Sequence, residues 1–213
     1  MDYNLKGIDR YGLRHKKNER YYVDEARWMS YYYQMRLILE DVDAETLLEI
    51  GPGNNFLKNL LRNTVTKHDT FDVDEQSNPT YQNLDQLEKL QNGYYDISCA
   101  FQVLEHMPYE DAINMIYLLS KITRKSIIIS LPVSIPTWRI FLSLPKLPRK
   151  QLIINNFLVK RKNPRFDGTH HWELENKGIK ISDFESHLSK FGTVKSFRNF
   201  YNPYHHFFSC TLK

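Results

Sequence analysis

The chain has 213 residues, 41% hydrophobic and 25% charged, with a formal net charge of +4. It is long enough for one domain with a full core. It contains no apolar run of membrane-spanning length, and its opening MDYNLKGIDR lacks the apolar region of a signal peptide. Its two cysteines, Cys99 and Cys210, fall in predicted strands, which argues for buried thiols rather than a disulfide or cysteine–metal framework and for a cytoplasmic protein.

Residues 1–20 read as a polar, basic segment without clear period, preceding a domain over 21–213. Residues 21–40 (YYVDEARWMSYYYQMRLILE) predict a helix, with Trp28, Tyr31, Tyr32, Met35 and Ile38 recurring at three- and four-residue steps as an apolar stripe. Next comes TLLEIGPGNN at 46–55, followed by FLKNLLRN at helical spacing. This predicts a buried strand, a glycine turn and a helix, the opening of a nucleotide-binding βαβ unit. Gly51 and Gly53 let the backbone pass close beneath a flat ligand, where a Cβ would collide.

The ligand is narrowed by what is absent. The dinucleotide fingerprint needs a third glycine where Phe56 stands, and no Gly-Lys-Ser/Thr follows the turn. Glu49, just before the turn, repels a phosphate and suits a cation. S-adenosylmethionine carries a sulfonium and an ammonium and no phosphate.

TFDVD at 70–74 predicts a second strand ending in carboxylates. Asp72 lies 21 positions after Gly51, near the spacing of about 20 residues at which an acid meets ribose hydroxyls. Asp74 fits that role or simple solvation of a strand end. YDISCAF at 95–101 predicts a third strand, 112–119 a helix, and SIIISL at 126–131 a fourth strand closed by Pro132. Alternating strands and helices predict a doubly wound, mostly parallel sheet. Its ligand edge gathers Glu49, Gly51, Asp72, Gln102 and Pro132.

LLEIGPGNN, TFDVD, YDISCAFQVLEHMPYEDA and SIIISLP resemble the successive motifs of a class I S-adenosylmethionine-dependent methyltransferase, of the group with a VLEH segment after the fourth sheet strand. The resemblance covers residues 40–133 well and the tail loosely. It implies a seven-stranded Rossmann-like sheet with an antiparallel final strand, and S-adenosylmethionine as cofactor. Glu49, Gly51 and Gly53 would line the methionine end and Asp72 would hold the ribose. Asn83, Leu84 and Asp85 would lie against the adenine edge, with Phe101 and Gln102 beside the methionine. The helix at 21–40 would cover the cofactor mouth, with Tyr31 and Gln34 facing it. Asn55 stands where the family has glycine. Asparagine tolerates the left-handed conformation, so binding is expected to be retained but weaker.

Gln102, Glu105 and His106 lie at i, i+3 and i+4 and share a face if that turn is helical. A proton relay fits them, and they fall short of a metal shell, so no metal site is expected. An insertion at 133–178 breaks the parallel pattern with Pro136, Pro145, Pro148 and Pro164. Its clusters TWRIFLSL and QLIINNFLV lie in a stretch, 112–166, that has eleven basic and no acidic residues. Such a lid seeks an anionic partner. The expected acceptor is small or lipid- or sugar-linked, with peripheral contact through 133–165 to an anionic inner membrane face.

FDGTHHWE at 166–173 places His170 or His171 with Glu173 as base and orienter for a hydroxyl acceptor, beside His106; a tether holding the lid is the competing reading. A helix at 181–191 has Ser182 and Glu185 as a capping box and Gly192 as its end. Strands at 193–201 and 206–212 close the domain as an antiparallel pair, with Tyr204, His205 and His206 near the substrate. The expected activity is methyl transfer, to oxygen. A catalytically silent cofactor-binding module is the alternative, kept open by Asn55. A nucleic-acid methyltransferase is disfavoured, because Phe101-Gln102-Val103-Leu104 replaces an Asn/Asp-Pro-Pro-aromatic motif.

Overall fold

The computed structural model describes residues 25–156, 170–176 and 178–213. The segment 1–20 and the stretch 157–169, with Lys160, Arg161, Lys162, Arg165 and Phe166 to Thr169, lie outside the described residues.

The apolar runs become strands β1 (Thr46–Ile50), β3 (Tyr95–Phe101) and β4 (Thr123–Pro132), while β2 (Lys67–Phe71) lies three residues earlier than the predicted 70–74 and leaves Asp72 to Asp74 in the turn after it; the four are joined in parallel through helices α2 (Phe56–Leu61), α3 (Leu84–Glu88) and α4 (Tyr109–Ile122). After an inserted hairpin, β5 (Thr137–Leu142) and β6 (Lys150–Asn155), the chain returns through α5 (Ile181–Ser189), β7 (Gly192–Arg198) and β8 (His205–Leu212). The sheet order is β2-β1-β3-β4-β8-β7, with β8 antiparallel to both neighbours. This is the doubly wound architecture with an antiparallel final strand that the sequence predicts.

Among the described residues the main sheet has six strands, not seven. A single parallel bridge, Tyr81 beside Phe71, stands at the β2 edge, where a further strand would pair. The segment is short and begins at Pro79, which has no N–H to donate to a ladder.

Both sheet faces are covered, which is why the central strands carry apolar runs such as SIIISL in β4. Leu48, Ile50, Ala100, Ile127, Ile129 and Phe208 pack with side chains of α3, α4 and α5, including Leu87, Ile116, Leu119 and Phe184. Leu47, Ile97, Cys99, Ile128 and Phe207 pack on the other face with Leu57 and Leu61 of α2 and Leu37 and Ile38 of α1 (Glu25–Leu39). Cys99 and Cys210 are free and buried.

The buried face of α1 differs from the predicted stripe. It comprises Ser30, Gln34, Leu37 and Ile38, while Trp28 and Tyr32 are exposed. The reason is polar: Ser30 Oγ accepts hydrogen bonds from Asn199 Nδ2 and Asn202 Nδ2, both at 3.2 Å, which pin the helix to the loop between β7 and β8. The predicted cap of α5 also shifts. Helix α5 begins at Ile181, Asp183 Oδ2 accepts from Lys180 N at 3.4 Å, and Glu185 instead accepts from Ser196 Oγ. Gly192 opens β7, because a Cβ there would lie 1.9 Å from the Thr211 carbonyl oxygen.

Candidate active site

The carboxyl ends of β1, β2, β3 and β4 meet at one edge of the sheet. Gly51, φ +66°, follows β1, and its N–H donates to Phe71 O at 2.8 Å. Gly53 is also left-handed, and so is Asn55 at φ 56°. Asn55 thus adopts the conformation for which the family uses glycine, and its Nδ2 donates to Ser77 O at 2.7 Å. Phe56, first in α2, packs on Tyr31 with ring centroids 4.1 Å apart, so Tyr31 lies beside the turn. Gln34 is buried.

Glu49 is buried and paired to His68 Nε2 at 2.9 Å. Sequence reasoning passes over His68, one of four polar residues in a row on β2, because only the register of β1 and β2 brings it to Glu49. Asp72 follows β2 half-buried, and its Oδ1 accepts from Asp74 N at 3.0 Å. Burial raises its carboxyl above the ordinary range, with Asp74's charge adding to the rise. Asp74 Oδ1 caps a 3₁₀ turn by accepting from Gln76 N at 3.0 Å. Asp85 is exposed in the first turn of α3.

Phe101 is half-buried at the end of β3. Gln102 is left-handed at φ 54°, and its Nε2 donates to Ser130 Oγ at 3.2 Å. Val103 is non-helical, with only Leu104–His106 forming a 3₁₀ turn. Gln102 therefore turns toward β4 rather than sharing a helical face with Glu105 and His106.

Glu105 and His106 join the HHWE segment. An isolated parallel bridge between Val133, just past β4, and Leu174 holds that segment beside the end of β4. His171 N donates to Glu105 O at 2.8 Å, and Trp172 Nε1 to Met107 O at 3.0 Å. These bonds set His170 against His106, with ring centroids 4.9 Å apart and planes at 74°. His170 Nδ1 lies 2.9 Å from Glu173 Oε1. Tyr204 OH donates to the same oxygen at 2.5 Å, and Ser134 Oγ to Oε2. Of the two predicted pairs, the structure forms His170–Glu173; His171 is exposed.

Two carboxylates a few residues apart in space thus differ sharply. Burial alone would raise Glu173, but hydrogen bonds from His170, Ser134 and Tyr204 outweigh it and bring its carboxyl down to about 2. Glu105 is completely buried, among the described residues neither oxygen has a hydrogen-bond partner, and burial pushes it up to about 8 against the opposing effect of His170.

The insertion is more regular than its prolines suggest. β5 and β6 form an antiparallel hairpin with Pro145 and Pro148 in its turn. Its inner face docks on the loop after β7: Arg139 Nη1 donates to Tyr201 O at 2.9 Å, Gln151 Nε2 to Tyr201 OH at 3.0 Å, and Phe141 meets Phe200. Alternation sends Trp138, Ile140, Leu142, Leu152 and Ile154 to the other face, where all are exposed, Trp138 at 59%.

No protein-family model and no curated protein sequence matches the chain. Solved structures do match, across nearly its whole length. An S-adenosylmethionine-dependent methyltransferase from Archaeoglobus fulgidus aligns over 92% of this chain and 97% of its own, with TM-score 0.62 and 15% identity. The N-methyltransferase NodS from Bradyrhizobium japonicum, in complex with S-adenosyl-L-homocysteine, aligns over 98% and 97%, with TM-score 0.65 and 11% identity. Magnesium protoporphyrin IX methyltransferase from Synechocystis, with bound S-adenosylmethionine, aligns over 99% and 98%, with TM-score 0.55 and 15% identity. The chain has the Rossmann-like fold of S-adenosylmethionine-dependent methyltransferases.

Proposed function

We propose that this protein is an S-adenosylmethionine-dependent methyltransferase whose acceptor is an anionic, lipid- or sugar-linked molecule methylated at oxygen. The observation that carries the reading is the left-handed Gly51–Gly53 turn opening beside Asp72, on a fold shared with cofactor-bound methyltransferases. Glu49, Gly51, Gly53 and Asn55 would form the methionine end, with Phe101 and Gln102 beside it. Asp72 would accept from the ribose hydroxyls. Asp74 and Asp85 would stand at the rim toward the adenine.

The methyl carbon passes from sulfur to the acceptor oxygen, the S–C pair returning to sulfur as a neutral thioether. The donor is already activated, so alignment supplies most of the acceleration. A hydroxyl acceptor must shed its proton as the methyl arrives. His106 and His170 stand at that edge to assist, with Glu173 holding the His170 ring. His171 would contact the acceptor from the exposed side.

The hairpin supports the choice of acceptor. Its open apolar face, with Lys146, Arg149 and Lys150 at the turn, suits a lipid-linked anion presented at an anionic membrane surface. Among the described residues no helix is long and apolar enough to cross a membrane. Calorimetry with S-adenosylhomocysteine, followed by transfer of labelled methyl from S-adenosylmethionine to lipid- and sugar-phosphate fractions, tests the proposal. Donor binding with label in an organic-extractable anionic product supports it. Binding without transfer to any fraction would favour a silent cofactor-binding module, and no binding would remove both readings.

A further inference from the structure

We propose that Glu105, His106 and His170 bind a divalent transition-metal cation. One potential ligand atom from each lies within 4.8 Å of the other two. Donors sharing an ion at about 2.0–2.2 Å sit roughly 3–3.5 Å apart, so small side-chain rotations close the site.

An independent observation points the same way. Glu105 is completely buried, and among the described residues neither carboxylate oxygen has a hydrogen-bond donor. An ionised carboxylate in that position is costly unless a cation meets it. Glu173 Oε1 holds His170 Nδ1 at 2.9 Å and is itself fixed by Tyr204 and Ser134. A carboxylate behind one ring nitrogen is the arrangement that orients an imidazole toward a metal through the other. Two imidazoles and a carboxylate suit zinc, cobalt, iron or manganese better than magnesium, and three protein ligands leave a position open.

Gln102 takes no part, because its Nε2 is bonded to Ser130 Oγ. With an ion bound, His106 and His170 would serve as its ligands rather than as proton acceptors, and the ion would hold the acceptor's oxygen and lower the pKa of its proton, which then passes to solvent. That role rests on the methyl-transfer reading; the binding of the ion does not.

The test uses full-length, tag-free protein freed of metal by chelation, without donor or acceptor. Cobalt(II) is titrated and followed by visible absorption, and zinc(II) by calorimetry, with magnesium(II) as competitor. One equivalent of cobalt, displaced by zinc and not by magnesium, is expected. His106→Gln, His170→Gln and Glu105→Gln should each weaken binding more than Glu173→Gln, whose loss of an outer carboxylate should cost roughly 10–100-fold. His187→Gln is the control and should bind as native. Zinc should raise the melting temperature of the native protein and leave the His106→Gln variant unmoved. S-adenosylhomocysteine affinity on the same variants reports folding and separates failure of the metal site from failure of the cofactor site. No stoichiometric uptake by the native protein, native affinity in the ligand variants, or equal competition by magnesium would each overturn the proposal.

Discussion

Glu49 Oε2 and His68 Nε2 lie 2.9 Å apart between neighbouring parallel strands, with side chains 6% and 5% exposed. The acid that suits a cationic donor therefore already has a partner inside the protein. Replacing His68 with leucine leaves a buried carboxylate without its donor, a change that costs about 3 kcal/mol or more. Urea denaturation should show that loss. The ligand's ammonium can take the imidazole's place, so S-adenosylhomocysteine should raise the melting temperature of the variant more than that of the native protein.

Gly51 meets a second constraint besides its φ of +66°. A Cβ there would lie 2.4 Å from Val103 Cγ2. Gly51→Ala combines left-handed strain of about 1–2 kcal/mol with overpacking of about 1–3 kcal/mol. The Gly51→Ala/Val103→Ala double variant should recover the overpacking part in denaturant melts, while binding of S-adenosylhomocysteine stays impaired in both.

These two positions differ in how legible they are. Gly51, Gly53 and the apolar strands declare themselves because turn geometry and burial act on residue type locally. Asn55 is readable for the same reason, and it takes the left-handed conformation. Pairs set by sheet register, such as Glu49–His68, or by the return of distant segments, such as Tyr204–Glu173 and Ser134–Glu173, leave no spacing in the chain. Ser30 shows the cost: a polar residue among aromatics reads as the solvent side of α1. Asn199 and Asn202, some 170 positions on, make it part of the buried side. The hairpin at 137–155 is hidden by its prolines, which mark its turn rather than disorder in the pattern.

Asp72 offers a pH-dependent test of the cofactor site. Burial already raises its carboxyl above the ordinary range, and ribose hydroxyls would favour its ionised form, so ligand binding should release a proton. Affinity for S-adenosylhomocysteine should therefore fall with falling pH, beginning above the range of an ordinary aspartate. Asp72→Asn should flatten that dependence. It should also weaken binding at neutral pH by about 10–100-fold, the equivalent of a charged hydrogen bond of about 1.5–3 kcal/mol.

His205 and His206, at the start of β8, supply a stability test. Burial lowers their imidazoles to about 3 and about 4, with Arg27 and Arg198 adding to the effect. The unfolded chain takes up protons near 6.5 while the folded one refuses them. Stability contributed by these neutral rings is thus fully present above pH 6.5 and is lost progressively as pH falls toward 4 and below. Thermal melts between pH 7 and pH 4.5 should show the decline, and His206→Gln should make it shallower.

The hairpin gives the most direct check on the acceptor. Trp138, Ile140, Leu142, Leu152 and Ile154 are exposed on one face, so their replacement costs the fold little. Burying one such side chain in a bilayer interface is worth about 1.5–3 kcal/mol. Trp138→Ser with Ile140→Ser should therefore reduce co-sedimentation with anionic vesicles by more than about tenfold while leaving the melting temperature unchanged. Lys146, Arg149 and Lys150 should each contribute about 1 kcal/mol near an anionic surface. Their joint replacement by glutamate should abolish the preference for anionic over zwitterionic vesicles. If the native protein binds neither vesicle while the serine variants change its size in solution, the face pairs with protein instead, and the lipid-linked acceptor falls with it.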